Sequence, residues 1–230
     1  MSKRDQGASV DYYIKRGFLP EAVRNYLCLL GWSPKDNREK IPIEEMIPLF
    51  DLNKVVRGHA TFDPDKLHWL NGEYARELPD DRFQQLARGA LRASEIKLEN
   101  FPDDYIRAAL ETCKGKINTF DELAAYCGFY FDDNFEYNQE GVTKNFTLEN
   151  KPRLQAVREA FVRIDNFSAS EIEAAMKATA KELGVKVGAI VHPTRFAVTG
   201  SNAGPSLYHL LEVLGQEKAL ARIDRALAMF

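Results

Sequence analysis

The chain has 230 residues, 45% of them hydrophobic and 28% charged, and a net charge of −3. This mix fits a globular chain of one large or two to three small domains and excludes collagen-like and low-complexity readings. No apolar run approaches the roughly 20 residues a membrane-spanning helix needs, Met1–Gly7 carry no secretory h-region, and the mild negative charge argues against a protein that coats nucleic acid non-specifically. Leu19–Gly31 reads as a helix, with Pro20 in its first turn and Gly31 as its stop. Its Val23, Tyr26, Leu27 and Leu30 share one face. Ile43–Phe50 is a short apolar and acidic helix limited by Pro48. Asp65–Glu73 gathers Leu67, Trp69 and Leu70. Pro79–Ala93 starts with Pro-Asp-Asp and Phe101–Cys113 with Phe-Pro-Asp-Asp, whose carboxylates complement the positive end of a helix. Tyr130–Thr147 is acidic, aromatic and without helical period, and predicts an irregular connection. Helices resume at Asn150–Val162, Ser168–Leu183, Gly188–Thr199, Pro205–Leu214 and Glu217–Ala228. Ser168 and Glu171 form a capping pair, and Gly184, Gly200 and Gly215 are stops. No alternating run predicts a strand. The expected fold class is therefore all-α, with no Rossmann-type nucleotide fold, in units 1–75, 76–135 and 136–230.

Charge is uneven along the chain. Residues 101–150 carry 4 basic and 10 acidic side chains, and residues 151–230 carry 11 and 8. A mildly basic C-terminal third is compatible with a bound polyanion. Cys28, Cys113 and Cys127 read as free thiols of a reducing compartment. His59, His68, His192 and His209 stand at no ligand spacing, so no metal site is expected. The chain contains no nucleophile elbow, Walker A motif, zincin motif or dinucleotide fingerprint, and no catalytic residue is assigned. Asp80/Asp81 and Asp103/Asp104 are helix-start carboxylates rather than acid/base pairs. Met1-Ser2-Lys3-Arg4 offers a hydroxyl, an ammonium and a guanidinium suited to a phosphate, and equally suits a solvated basic terminus. In Val187–Leu207 a single arginine, Arg195, stands among apolar and small residues beside the turn Gly200-Ser-Asn-Ala-Gly-Pro205. It could hydrogen-bond a base edge or cover a helix end, and the residues leave both readings open.

Taken in order, these segments resemble one family, the bacterial-type glutamyl-tRNA synthetases, class I aminoacyl-tRNA synthetases. Met1-Ser2-Lys3-Arg4 is similar to the last four residues of a KMSKS-type signature, whose preceding lysine is absent here. Gly17–Ser33 resembles the segment after that loop, Phe62–Gly72 the next signature, and Pro193–Gly200, Gly204–Leu207 and Leu214-Gly215 the C-terminal signature. The resemblance implies a KMSKS-type remnant and stem-contact helices over 1–75, then two helical anticodon-binding domains over 76–135 and 136–230. It implies that the chain starts at the loop, so that the catalytic Rossmann half with its HIGH-type motif is missing and this chain alone forms no adenylate. Ser2, Lys3 and Arg4 would belong to the ATP-phosphate loop, with Lys3 steadying developing charge. Lys116, Arg195, Gly204, Pro205 and Leu207 would contact the anticodon. At Lys116 many members carry an arginine, whose planar fork a lysine replaces with a point charge. The implied function is the tRNA-Glu-binding part of a glutamate-tRNA ligase, cytoplasmic and monomeric, with no membrane role and no cofactor of its own. ATP and magnesium would serve the complete enzyme, and the partners would be tRNA-Glu and the catalytic half. An exposed apolar patch is expected in the first 75 residues, where that half would dock. The alternative is a non-catalytic helical adaptor that binds protein.

Overall fold

The computed structural model describes residues 9–34, 36–56, 58 and 61–230. Among them are thirteen α-helices and no strand, so the all-α expectation holds. The helices are α1 (Val10–Lys15), α2 (Pro20–Leu29), α3 (Ile43–Leu49), α4 (Pro64–Arg76), α5 (Asp80–Ala93), α6 (Asp103–Glu111) and α7 (Leu123–Cys127). They continue with α8 (Gln139–Asn145), α9 (Asn150–Val162), α10 (Ala169–Glu182), α11 (Gly188–Thr199), α12 (Leu207–Leu214) and α13 (Gln216–Leu227). The forecast helices recur with ends moved by a few residues. α1, α7 and α8 have no forecast counterpart. At 6, 5 and 7 residues they are too short to display a helical repeat. The stretch expected to be irregular holds α8, whose start is fixed by the Asn138 side chain accepting the Gly141 N–H at 2.7 Å. Among the described residues no helix is long and apolar enough to cross a membrane.

The chain forms two compact units. One takes the described residues up to Ile96 together with Lys114–Ala125, the other Lys97–Cys113 together with Tyr126–Phe230. In the first, α2 and α4 close over Phe18, Tyr26, Leu67 and Leu70, while Trp32, Ile41 and Met46 form a second cluster. Full burial of each such side chain is worth about 1.5–3 kcal/mol. Buried Asn25 donates to Glu39 O at 3.0 Å and accepts the Ile41 N–H and the Tyr74 hydroxyl, each at 2.8 Å. Asp63 caps α4 by accepting the N–H groups of Asp65 and Lys66 at 3.0 Å.

In the second unit, α9, α10, α11, α12 and α13 surround a core that includes Leu154, Phe161, Ile172, Met176, Phe196, Leu210 and Ile223, all 0% exposed. α11 is the central helix. Ile190, Pro193, Thr194 and Phe196–Thr199 are buried, as expected of a helix apolar nearly all round. Gly200 ends it in the left-handed conformation (φ +71°), which an L side chain adopts only at a cost. The acidic, aromatic segment before α8 is clamped onto α13. Arg222 donates to Val198 O and Phe129 O at 2.7 Å each and to Asp133 Oδ1 at 2.5 Å, and its guanidinium lies 5.0 Å from the Phe135 ring centre. Arg225 lies 4.1 Å from the same ring centre.

Candidate nucleic-acid interface

Two of the residues expected at the anticodon, Arg195 and Pro205, are joined directly. Arg195 projects from the last turns of α11, and its Nη1 donates to Pro205 O at 2.7 Å. Gly204 lies close beside it, since a Cβ there would stand 3.1 Å from Arg195 Nη1. The turn between them is held from both ends. Thr199 Oγ1 donates to Ser201 O at 3.0 Å and accepts the Ser201 N–H at 3.1 Å. Asn145, buried at the end of α8, donates to Asn202 Oδ1 at 2.8 Å and to Gly141 O at 2.9 Å. Pro205 and Leu207 are buried and anchor the turn, whereas Asn202, Ala203 and Ser206 are exposed. Ala197 and Thr199, whose small size suggested room for a base beside Arg195, are themselves buried.

Arg195 is half-buried and, among the described residues, has no carboxylate partner. Burial pushes its guanidinium below the ordinary arginine value, partly offset by the phenols of Tyr126 and Tyr130. With Nη1 committed to Pro205, the Nε–Nη2 edge donates to nothing among the described residues. That edge is a planar two-donor fork, the geometry that reads a pair of acceptors on a base. Asn145 and Asn202 were not legible as site residues, because 57 positions separate them and neither stands in a periodic pattern.

In the first unit, Lys116 is exposed on the turn between α6 and α7. The turn is gripped by α4. Asn71 accepts the Leu19 N–H at 2.7 Å and donates to Asn118 O. Gly72 leaves room for this approach, since a Cβ would lie 2.0 Å from Asn118 Oδ1. Glu122 closes the turn by accepting the Asn118 N–H at 2.9 Å and the Thr119 N–H at 3.4 Å, and it contacts His68 Nε2. Asn71 and Gly72 in the Trp-Leu-Asn-Gly sequence of α4 thus serve to seat the Lys116 turn. Ser2, Lys3 and Arg4 lie outside the described residues.

This network gives a pH dependence. Burial alone would raise the Glu122 carboxyl, but the N–H groups of Asn118 and Thr119 and the His68 ring outweigh it and hold the group below its ordinary value of 4.5. A carboxyl depressed in the folded state contributes stability above its unfolded pKa and loses it as pH falls through the folded value. Glu122→Gln is therefore expected to be less stable than wild type at pH 7, with the gap closing below the ordinary carboxylate range. Urea midpoints across that range check this, and a pH-independent gap contradicts it.

The first unit also carries the expected apolar patch, as a groove of about 600 Å³ whose lining includes Val10, Ile14, Leu27, Trp32, Phe50 and Val55. Val10, Ile14 and Leu27 are more than half exposed, and the buried Trp32 indole N–H has no acceptor among the described residues.

Residues 81–227 match the family described as anticodon binding domain. The chain belongs to that family. Residues 1–69 match the family described as tRNA synthetases class I (E and Q), catalytic domain. Within this context the chain is similar to the glutamate-tRNA ligases of Moorella thermoacetica (37% identity, over 98% of this chain and 47% of that protein) and Methylacidiphilum infernorum (40%, over 97% and 50%). The crystal structure of a glutamate tRNA ligase from Elizabethkingia meningosepticum, in complex with its amino acid, superposes with a TM-score of 0.81. It is 27% identical, covering 94% of this chain and 42% of that one. The chain thus spans about half the length of the relatives it matches. The resemblance read from the sequence, to the C-terminal part of glutamyl-tRNA synthetases, holds.

Proposed function

We propose that the chain is the tRNA-Glu-binding, anticodon-recognising portion of a glutamate-tRNA ligase. The observation that carries this is the arginine fork of Arg195, half-buried, without a carboxylate partner among the described residues and set beside an exposed turn, inside the segment that matches the anticodon-binding family. Functionally the chain divides into stem-contact helices up to about residue 75 and two anticodon-binding stretches, 76–135 and 136–230. Arg195 with the turn Gly204-Pro205-Ser206-Leu207 contacts the anticodon loop in the second stretch, and Lys116 contacts it in the first. Buried Pro205 and Leu207 act by shaping the turn, while the guanidinium and the exposed turn atoms make the contact. Ser2, Lys3 and Arg4 belong to the ATP-phosphate loop. ATP and magnesium serve the ligase as a whole.

The test is a binding titration with tRNA-Glu against an unrelated tRNA at two salt concentrations. Anticodon reading requires a preference as well as a salt slope. Equal binding of both tRNAs, or none, removes the reading and favours a protein adaptor. The apolar groove supports a partner in either case. For the ligase reading that partner is the other half of the catalytic domain, because the groove lies within residues that match the catalytic-domain family.

Lys116 gives a second expectation. Replacing its point charge by a planar fork, Lys116→Arg, should sharpen discrimination between the glutamate and glutamine anticodons by up to about 1–3 kcal/mol. Competition binding with tRNA-Glu variants carrying either anticodon measures it, and unchanged discrimination takes Lys116 off the anticodon.

A further inference from the structure

We propose that Asn145 is a positioning residue for the turn that follows α11. Through its bond to Asn202 it holds the tip of that turn in one place beside Arg195, so that the cognate anticodon meets a surface already ordered. This rests on the reading of Arg195 and the turn as an anticodon contact and adds the residue that sets the shape of the turn.

The ends of the turn are fixed from α11 itself, by Thr199 on Ser201 and by Arg195 on Pro205. The tip between them is not. Asn202 and Ala203 are exposed, and the Ala203 N–H makes only a local bond, to Ser201 Oγ at 3.2 Å. Among the described residues, the 2.8 Å bond from Asn145 Nδ2 to Asn202 Oδ1 is the only hydrogen bond that ties residues 201–204 to an element other than α11. Asn145 is itself firmly held. It is 2% exposed, its Nδ2 also donates to Gly141 O at 2.9 Å, and its carbonyl accepts from Asn150 Nδ2 in α9 at 3.0 Å. Gly141 lies against Phe196, the residue after Arg195, so closely that a Cβ would stand 2.1 Å from Phe196 Cε2. The tip and the arginine are therefore referred to the same packed helices, α8, α9 and α11. Stability alone gives little reason for such a tie, since the net gain from a hydrogen bond is small and an apolar side chain in its place can be nearly neutral. Its contribution is order. A free tip would have to be fixed when RNA binds, and that cost would come off the affinity. Asn145 is too deeply buried to touch RNA, so its influence on recognition passes through Asn202.

The test uses the full chain with Asn145→Ala, Asn202→Ala or both, titrated with tRNA-Glu and with a tRNA altered only in the anticodon, and melted in parallel. Each single variant should weaken tRNA-Glu about threefold to tenfold and leave the altered tRNA where it was. The double variant should do no worse than either single one, because the two residues act as one tie. Asn202→Ala, on the surface, should keep the wild-type thermal midpoint and so separates recognition from folding. Asn145→Ala also loses the bond to Gly141 O, and its midpoint should fall. Asn145→Leu, which keeps the volume and removes the donor, replaces Asn145→Ala if that variant does not fold. Additive losses in the double variant overturn the proposal, because the residues then act separately. A loss with Asn202→Ala but none at Asn145 also overturns it, because Asn202 is then a direct contact. If neither variant moves the preference while Arg195→Ala does, the tie is structural only and the anticodon reading stands. If all three are silent, the anticodon reading itself falls.

Discussion

Arg222→Ala is expected to lower the stability of the protein by about 3 kcal/mol, read as a fall of about 10 °C in thermal midpoint. Arg222 is 3% exposed, yet it carries a charge into a core of carbonyls, and that is what makes the effect large. Its donors satisfy Phe129 O, Val198 O and the Asp133 carboxylate, from segments about 90 and 24 residues away in the chain. An alanine would leave those carbonyls without donors and release the clamp on the acidic segment before α8. Asp133 is held below its ordinary value because Arg222 and Lys218 outweigh the burial that would raise it. The loss on Arg222→Ala should therefore shrink as pH falls through the carboxylate range. Scanning calorimetry of the two proteins at pH 7 and pH 4 checks both parts, and a midpoint unchanged at pH 7 removes the clamp from the account.

Arg195→Ala is expected to weaken tRNA-Glu by roughly fivefold to a hundredfold, about 1–3 kcal/mol, with the loss concentrated on the cognate anticodon. The geometry sets this apart from a generic phosphate contact, which would weaken all tRNAs alike and lower the salt slope by about one unit. Arg225→Ala is the control. Arg225 stacks on Phe135 and Tyr137 and donates to Asp133 O, so its removal should cost stability without moving the preference. Equilibrium titration with tRNA-Glu and with a tRNA differing only in the anticodon measures the preference. If Arg195→Ala changes neither affinity nor preference, this surface does not read the anticodon and the adaptor reading gains.

The longer helices were legible because their apolar residues repeat over three or more turns and their starts carry proline, serine or paired aspartates. α10 begins after Ser168, whose side chain accepts the Glu171 N–H, as the capping pair predicts. α8 was hidden because a seven-residue helix with a glycine inside it shows no period. Its start depends on an asparagine, a residue type equally at home in a turn. At the interface the sequence singled out Arg195 and the turn after Gly200. It could not show that Pro205 and Leu207 face inward, since a proline and a leucine flanking a turn suit a buried anchor and an exposed contact alike. Nor could it show that Asn71, Asn118 and Glu122 hold the Lys116 turn, because that network joins α4 to residues some 50 positions later.

The two units are interleaved along the chain, and this affects how the protein is made. Residues 97–113 belong to the second unit although residues 114–125 return to the first. During synthesis the first unit cannot close until residue 125 has emerged. α6 must wait about a hundred residues longer for α12, against which it packs. Translation therefore exposes an amphipathic helix with Ile106, Ala109 and Leu110 on its apolar face and no partner yet made. A ribosome stalled after residue 125 has emerged and before residue 207 has should carry a nascent chain with one folded unit and one orphan helix, and neither unit can be exchanged between relatives as a single contiguous piece.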